Sequence, residues 1–145
     1  MIEQERNKMA LTNPSKRALI YDYHPAISKG LSGIINFELN MDVVQQPCNS
    51  KKLLRVLDES DFDLLLLDMF PSDKNSFDLI RRIISENSDL KVLVISNYDS
   101  DLYTEEAISA GAKGFIMMAE PIEEILKAIV IVLDNGIYRN DKTSD

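Results

Sequence analysis

Along the chain, short apolar runs alternate with stretches in which apolar residues recur every three or four positions. The runs are "ALIY" from Ala18, "MDVV" from Met41, "LLLL" from Leu64, "VLVI" from Val92 and "GFIMM" from Gly114. Each is too short for a membrane span or an ordinary core helix and has the length of a strand buried on both faces. Between them, Ile27, Leu31, Ile34 and Ile35 fall on one helix face, as do Ile122, Ile125, Leu126, Ile129, Val130 and Leu133. Further helical segments begin near Ser50, Phe77 and Asp101, and "DNG" at Asp134 to Gly136 supplies a helix stop.

These elements make five βα units over residues 16–136, after a polar leader (1–15) and before a linker or tail (137–145). Each crossover must return over one face of the sheet, so the alternation predicts an α/β fold. The expected form is a flavodoxin-like (βα)5 doubly wound parallel sheet of strand order 2-1-3-4-5. In such a sheet the crevice lies outside the carboxyl ends of the strands, at the switch between strands one and three. The residues that end the runs are Asp22 and Tyr23, Asp68, Ser96 and Met118. Asp68 closes "DFDLLLLDMFP" where burial ends, and Asp22 is its expected neighbour across the crevice.

Composition narrows the partners. The 145 residues suit one domain, and 45% hydrophobic content is enough to build a core. A formal net charge of -8 argues against nucleic acid held by this chain itself, because phosphate contacts need clustered Lys and Arg. Cys48 is the one cysteine, so there is no internal disulfide, and with His24 the one histidine there is no zinc-type cluster. No stretch approaches the ~18 residues of a membrane helix, and the leader lacks the apolar middle of a signal peptide. A reducing, cytoplasmic setting without membrane contact is expected.

Two carboxylates in one crevice repel, so either one takes a proton or a cation lies between them. Oxygen-ligated Mg²⁺ is the natural ion, and beside it an aspartate can act as nucleophile toward a phosphoryl group.

With those residues in place, the sequence resembles the receiver domains of two-component response regulators, above all those that precede a LuxR-type helix-turn-helix output domain. The resemblance spans Lys16 to Gly136 and rests on "ALIYDYHPAISKGL", "DLLLLDMFP", "KVLVISNY" and "EEAISAGAKGFIMM". It implies that Asp68 is the phosphoacceptor position, Asp22 the first acid, Ser96 the switch hydroxyl and Phe115 the aromatic switch position. Phe70 is implied to offer its backbone carbonyl to a metal.

Two positions depart from that pattern. Tyr23 stands where the family has its second acid, a direct Mg²⁺ ligand, and Met118 stands where it has the lysine that pairs with phosphate. A tyrosine, neutral below its reference pKa of ~10, is a poor Mg²⁺ ligand, and a thioether brings a phosphoryl group no positive charge. An acid and a lysine are lost together, so formal charge is kept while coordination and phosphate pairing are not. Pro71 also falls one place early, and Ser76 replaces a glycine of the same loop. No cofactor is therefore expected beyond weak or absent Mg²⁺ binding by Asp22, Asp68 and Phe70.

Blander roles compete at several positions. His24 with Pro25 reads as a helix start, Met118 as packing, and Ser96 equally as a turn residue or a switch. Tyr23 is open between packing and a hydrogen bond to a crevice carboxylate. Cys48 and the run "DESDFD" read as spectators.

The expectation is an atypical receiver, a signalling module with no turnover, that acts through protein-protein contact and homodimerisation with little or no aspartyl phosphorylation. The resemblance implies membership of a transcriptional regulator, with the receiver either followed by a helix-turn-helix output domain or standing alone. The alternative is a receiver in which Asp68 takes phosphate from a histidine kinase. An unrelated flavodoxin-like enzyme is disfavoured, because no Gly-rich phosphate loop is present.

Overall fold

The computed structural model describes residues 16–22, 24–47, 49–69, 75–97 and 101–139. Along them run β1 (Arg17–Asp22), α1 (Pro25–Leu39), β2 (Asp42–Pro47), α2 (Ser50–Glu59), β3 (Leu64–Asp68) and α3 (Asn75–Glu86). Then follow β4 (Lys91–Ser96), α4 (Asp101–Ala110), β5 (Gly114–Met117), α5 (Ile122–Leu133) and β6 (Tyr138–Arg139). All strand pairs are parallel, in the order β2-β1-β3-β4-β5-β6.

The leucine run feeds two cores at once. Successive strand residues point to opposite faces. Leu65 and Leu67 accordingly join Leu19, Val92, Val94 and Phe115 under α2, α3 and α4, while Leu64 and Leu66 join Ile20, Leu93, Ile95 and Ile116 under α1 and α5. A run with no polar alternation is what a central strand covered on both sides requires. Asp68 continues the parity of Leu64 and Leu66 onto the α1/α5 side.

The expected helix faces are only partly buried. On α1 the buried positions are Ser28, Leu31 and Ile35, whereas Ile27 and Ile34 stay largely exposed. On α5, Ile125, Ala128, Ile129 and Val132 are buried and Val130 is exposed. A helix lying on a sheet covers a stripe about one hundred degrees wide, and the outer isoleucines fall beyond it.

Helix ends follow local chemistry. The Asn49 side chain accepts a hydrogen bond from the Lys52 amide and caps α2. At the "DNG" stop, Asn135 takes the left-handed conformation (φ 67°) and Gly136 N–H donates to the Ile131 carbonyl. The stop is real, with asparagine supplying the positive φ that glycine usually supplies.

The sheet gains one strand beyond the five expected. "GIYRN", read above as the start of a linker or tail, contributes β6 beside β5, with Tyr138 opposite Gly114 and Arg139 opposite Phe115. Two residues carry too little periodicity to announce a strand. What holds them is tertiary: Tyr138 is buried, its hydroxyl donates to Glu124, and Arg139 pairs with Glu105.

Candidate functional site

Three central strands end at the same level, and their last residues form the site. Asp68 lies opposite Ile95 in the β3/β4 ladder, and Ser96, fully buried, follows Ile95. The Met69 amide donates to the Ile95 carbonyl and the Met118 amide to the Ser96 carbonyl, which fixes the strand ends side by side. Asp22 closes β1 at the level of Pro47 on β2. Its backbone is described and its side chain is not. Tyr23, Phe70 and Pro71 lie outside the described residues, as does Cys48.

Asp68 is buried to 7% exposure, yet it is the residue at which the strand meets the crevice. An imidazole meets it there. His24 Nδ1 lies 3.1 Å from Asp68 Oδ2, within hydrogen-bond range. His24 immediately precedes α1, where its backbone carbonyl accepts from the Ile27 and Ser28 amides. Pro25 opens the helix as expected, and the His24 side chain makes no cap bond, so the ring is turned to the carboxylate. Sequence reasoning assigned His24 only a helix-start role. The available signal was its place two residues beyond the β1 end, in the loop that borders the crevice.

The remaining predicted positions divide between the faces of the sheet. Met118 is half-buried, packs with the α1/α5 core and borders the same cleft as Asp68. Phe115 is buried in the opposite core, under α2, α3 and α4. The structure thus brings Asp68 and Met118 to one cleft, sets the His24 ring against Asp68, buries Ser96 at the neighbouring strand end, and places Phe115 apart in the opposite core.

Among the described residues no group of three His, Cys, Asp or Glu is placed to hold a metal ion. Asp68 and His24 are a carboxylate and an imidazole, and the hard oxygen cage that Mg²⁺ prefers is not completed by them. None of the described residues lining the cleft is lysine or arginine. No described helix is long and apolar enough to cross a membrane.

Comparison with known proteins agrees with this geometry. The transcriptional regulatory protein ComA of Bacillus subtilis is 34% identical over 124 residues, covering 84% of this chain and 58% of that protein. The oxygen regulatory protein NreC of Staphylococcus carnosus is 26% identical over 130 residues, 89% of this chain and 58% of that protein. The chain therefore spans well under two thirds of either relative. A CheY-like response regulator receiver domain protein from Methanospirillum hungatei superposes with a TM-score of 0.74 at 25% identity, over 83% of this chain and 95% of that one. The response regulator receiver domain model matches residues 18–130, and the chain belongs to that family.

Proposed function

We propose that this receiver works as a contact-controlled signalling module, with little or no dependence on phosphorylation of Asp68 and no turnover of substrate. The observation that carries the reading is the company Asp68 keeps: His24 on its Oδ2 and the Met118 thioether bordering the same cleft. A phosphoryl group on Asp68 brings about two negative charges. Here it meets a thioether where the family pattern places an ammonium. Asp22, Tyr23 and Phe70 are the further positions of the proposed site, with Mg²⁺ held weakly, and Ser96 and Phe115 are its switch positions. The module forms a homodimer, serves a transcriptional regulator with a helix-turn-helix output domain, and acts in the cytoplasm.

Ser96 favours a second reading. It is a buried hydroxyl one residue beyond the ladder partner of Asp68, so a phosphoryl group taken slowly from a histidine kinase would find one donor. Incubation with acetyl phosphate and Mg²⁺, followed by intact mass, separates the two, with Asp68→Ala as control. No added phosphoryl group is expected. An addition that disappears in the control overturns the main reading in favour of the second.

A further inference from the structure

The cleft that Asp68 borders continues between α1 and α5 as a cavity of about 310 Å³. That is the lower end of the range for small-molecule sites. Its floor is the buried sheet, at Ile20, Leu66 and Ile95, and its walls are Leu31 and Ile34 on one side and Ile125 on the other. Gly30 widens the α1 wall, where a Cβ would meet nothing within 4 Å.

The polar side chains on the lining already have partners. Asp68 Oδ2 meets His24 Nδ1 at 3.1 Å, and the Ser28 hydroxyl lies 3.2 Å from the Pro25 carbonyl and 3.4 Å from Gln45 Oε1. Tyr21 and Glu120 have interactions of their own. An ion that enters therefore sheds its hydration without a counter-charge set aside for it, whereas an apolar molecule gains from burial alone. Ile27 and Ile34 stand at the border 46% and 37% exposed, and Phe37 and Val130, exposed on the same two helices, do not line the cleft. Two part-exposed isoleucines fall far short of the ~800 Å² that each partner buries in a stable protein interface. The occupant that fits is a small molecule.

We propose that this cleft binds a neutral, apolar small molecule of roughly ten non-hydrogen atoms, laid along Leu31, Ile34 and Ile125 over the Leu66 floor. The size follows by proportion from a dry cavity of ~150 Å³ that takes the six carbons of benzene. Leu66 stands two residues before Asp68 on β3, so occupancy bears directly on the strand end. The inference rests on the contact-controlled reading for its meaning as an input signal. The binding itself does not depend on that reading.

The test uses the full chain and a series of straight-chain alcohols, with octanoate and octylammonium as charged counterparts of octanol. Titration followed by amide and methyl NMR shifts is expected to give saturable binding of octanol at Leu31, Ile34, Ile125 and Met118. Affinity is expected to rise about fourfold per methylene from butanol to octanol. It is expected to level off beyond about ten non-hydrogen atoms, when the cavity is full. Octanoate and octylammonium are each expected to bind at least tenfold more weakly than octanol. Glu120→Gln is expected to leave octanol affinity within about twofold. Gly30→Leu fills the cleft and is expected to lower octanol affinity at least tenfold. Ile34→Gln, at a part-exposed wall position, is a second variant expected to lower it severalfold, and it decides the matter if Gly30→Leu does not fold.

Octylammonium binding as tightly as octanol or more so, a tenfold loss of octanol affinity in Glu120→Gln, or folded wall variants that bind octanol like the parent would overturn the proposal. Shifts confined to other surfaces or no saturable shift would do the same. Acetyl phosphate labelling with retained octanol binding would overturn the functional reading alone. Absent labelling with absent octanol binding would overturn this inference alone.

Discussion

His24 Nδ1 and Asp68 Oδ2 are 3.1 Å apart although 44 positions separate the residues. The contact ties the entry of α1 to the tip of β3. The imidazole is 39% exposed, so solvent screens part of the interaction, and the net value of such a bond lies at the low end of its usual range. His24→Ala is expected to cost about 0.5 to 1 kcal/mol in urea unfolding, with His24→Gln recovering part of it. An unchanged midpoint in both variants would show that the contact contributes nothing to the fold.

Restoring the missing groups is a direct test of the phosphorylation argument. Met118 borders the cleft beside Asp68, and a lysine there supplies the cation the thioether lacks. The double variant Tyr23→Asp, Met118→Lys is expected to take up phosphate from acetyl phosphate and Mg²⁺ at least about tenfold faster than the parent, a barrier difference of ~1.4 kcal/mol. Equal, slow labelling of both chains would mean that these two positions do not set the deficit.

Two glycines are expected to respond in opposite directions. Gly30 lies inside α1 with open space around a Cβ, so Gly30→Ala removes only backbone freedom and is expected to stabilise by about 0.5 to 1 kcal/mol. Gly111 has φ 118° and its Cβ would sit 2.9 Å from Ile84 Cγ1. Gly111→Ala is therefore expected to destabilise by about 1 to 3 kcal/mol. Thermal or urea unfolding decides both signs.

The pH dependence of β6 follows from Tyr138. Its hydroxyl donates to Glu124 Oε2 at 2.5 Å, and burial first, then the Glu124 acceptor, raise its pKa above the ordinary phenol value. A raised folded-state pKa gives stability that is complete below the unfolded value of ~10 and is lost as pH climbs through the folded value. Tyr138→Phe is expected to cost about 1 to 2 kcal/mol at neutral pH and to lose less stability than the parent above about pH 10. Parallel urea curves at both pH values would contradict this role.

Much of the architecture was legible because its signals are local. Four leucines between acids mark a strand covered on both faces, and the bulk of Leu64 to Leu67 divides between two cores as that pattern demands. The helix spacing at Leu31, Ile35, Ile125 and Ile129 is equally local, and all four are buried. Ile27, Ile34 and Val130 share the period yet remain exposed. Periodicity names a face, while the curvature and reach of the neighbouring sheet decide how wide a stripe is covered.

Hydrophobic order along the chain, which every stretch carries within itself, therefore determined the βα succession and placed Asp68 and Ser96 at strand ends. The tertiary structure alone decided that His24 reaches Asp68, that Tyr138 becomes a sixth strand, and that two helices leave an apolar cleft beside an acid. Each of these joins residues 14 or more positions apart. Such contacts exist only once the loops have closed, and closure is set by the whole packed chain rather than by any segment of it.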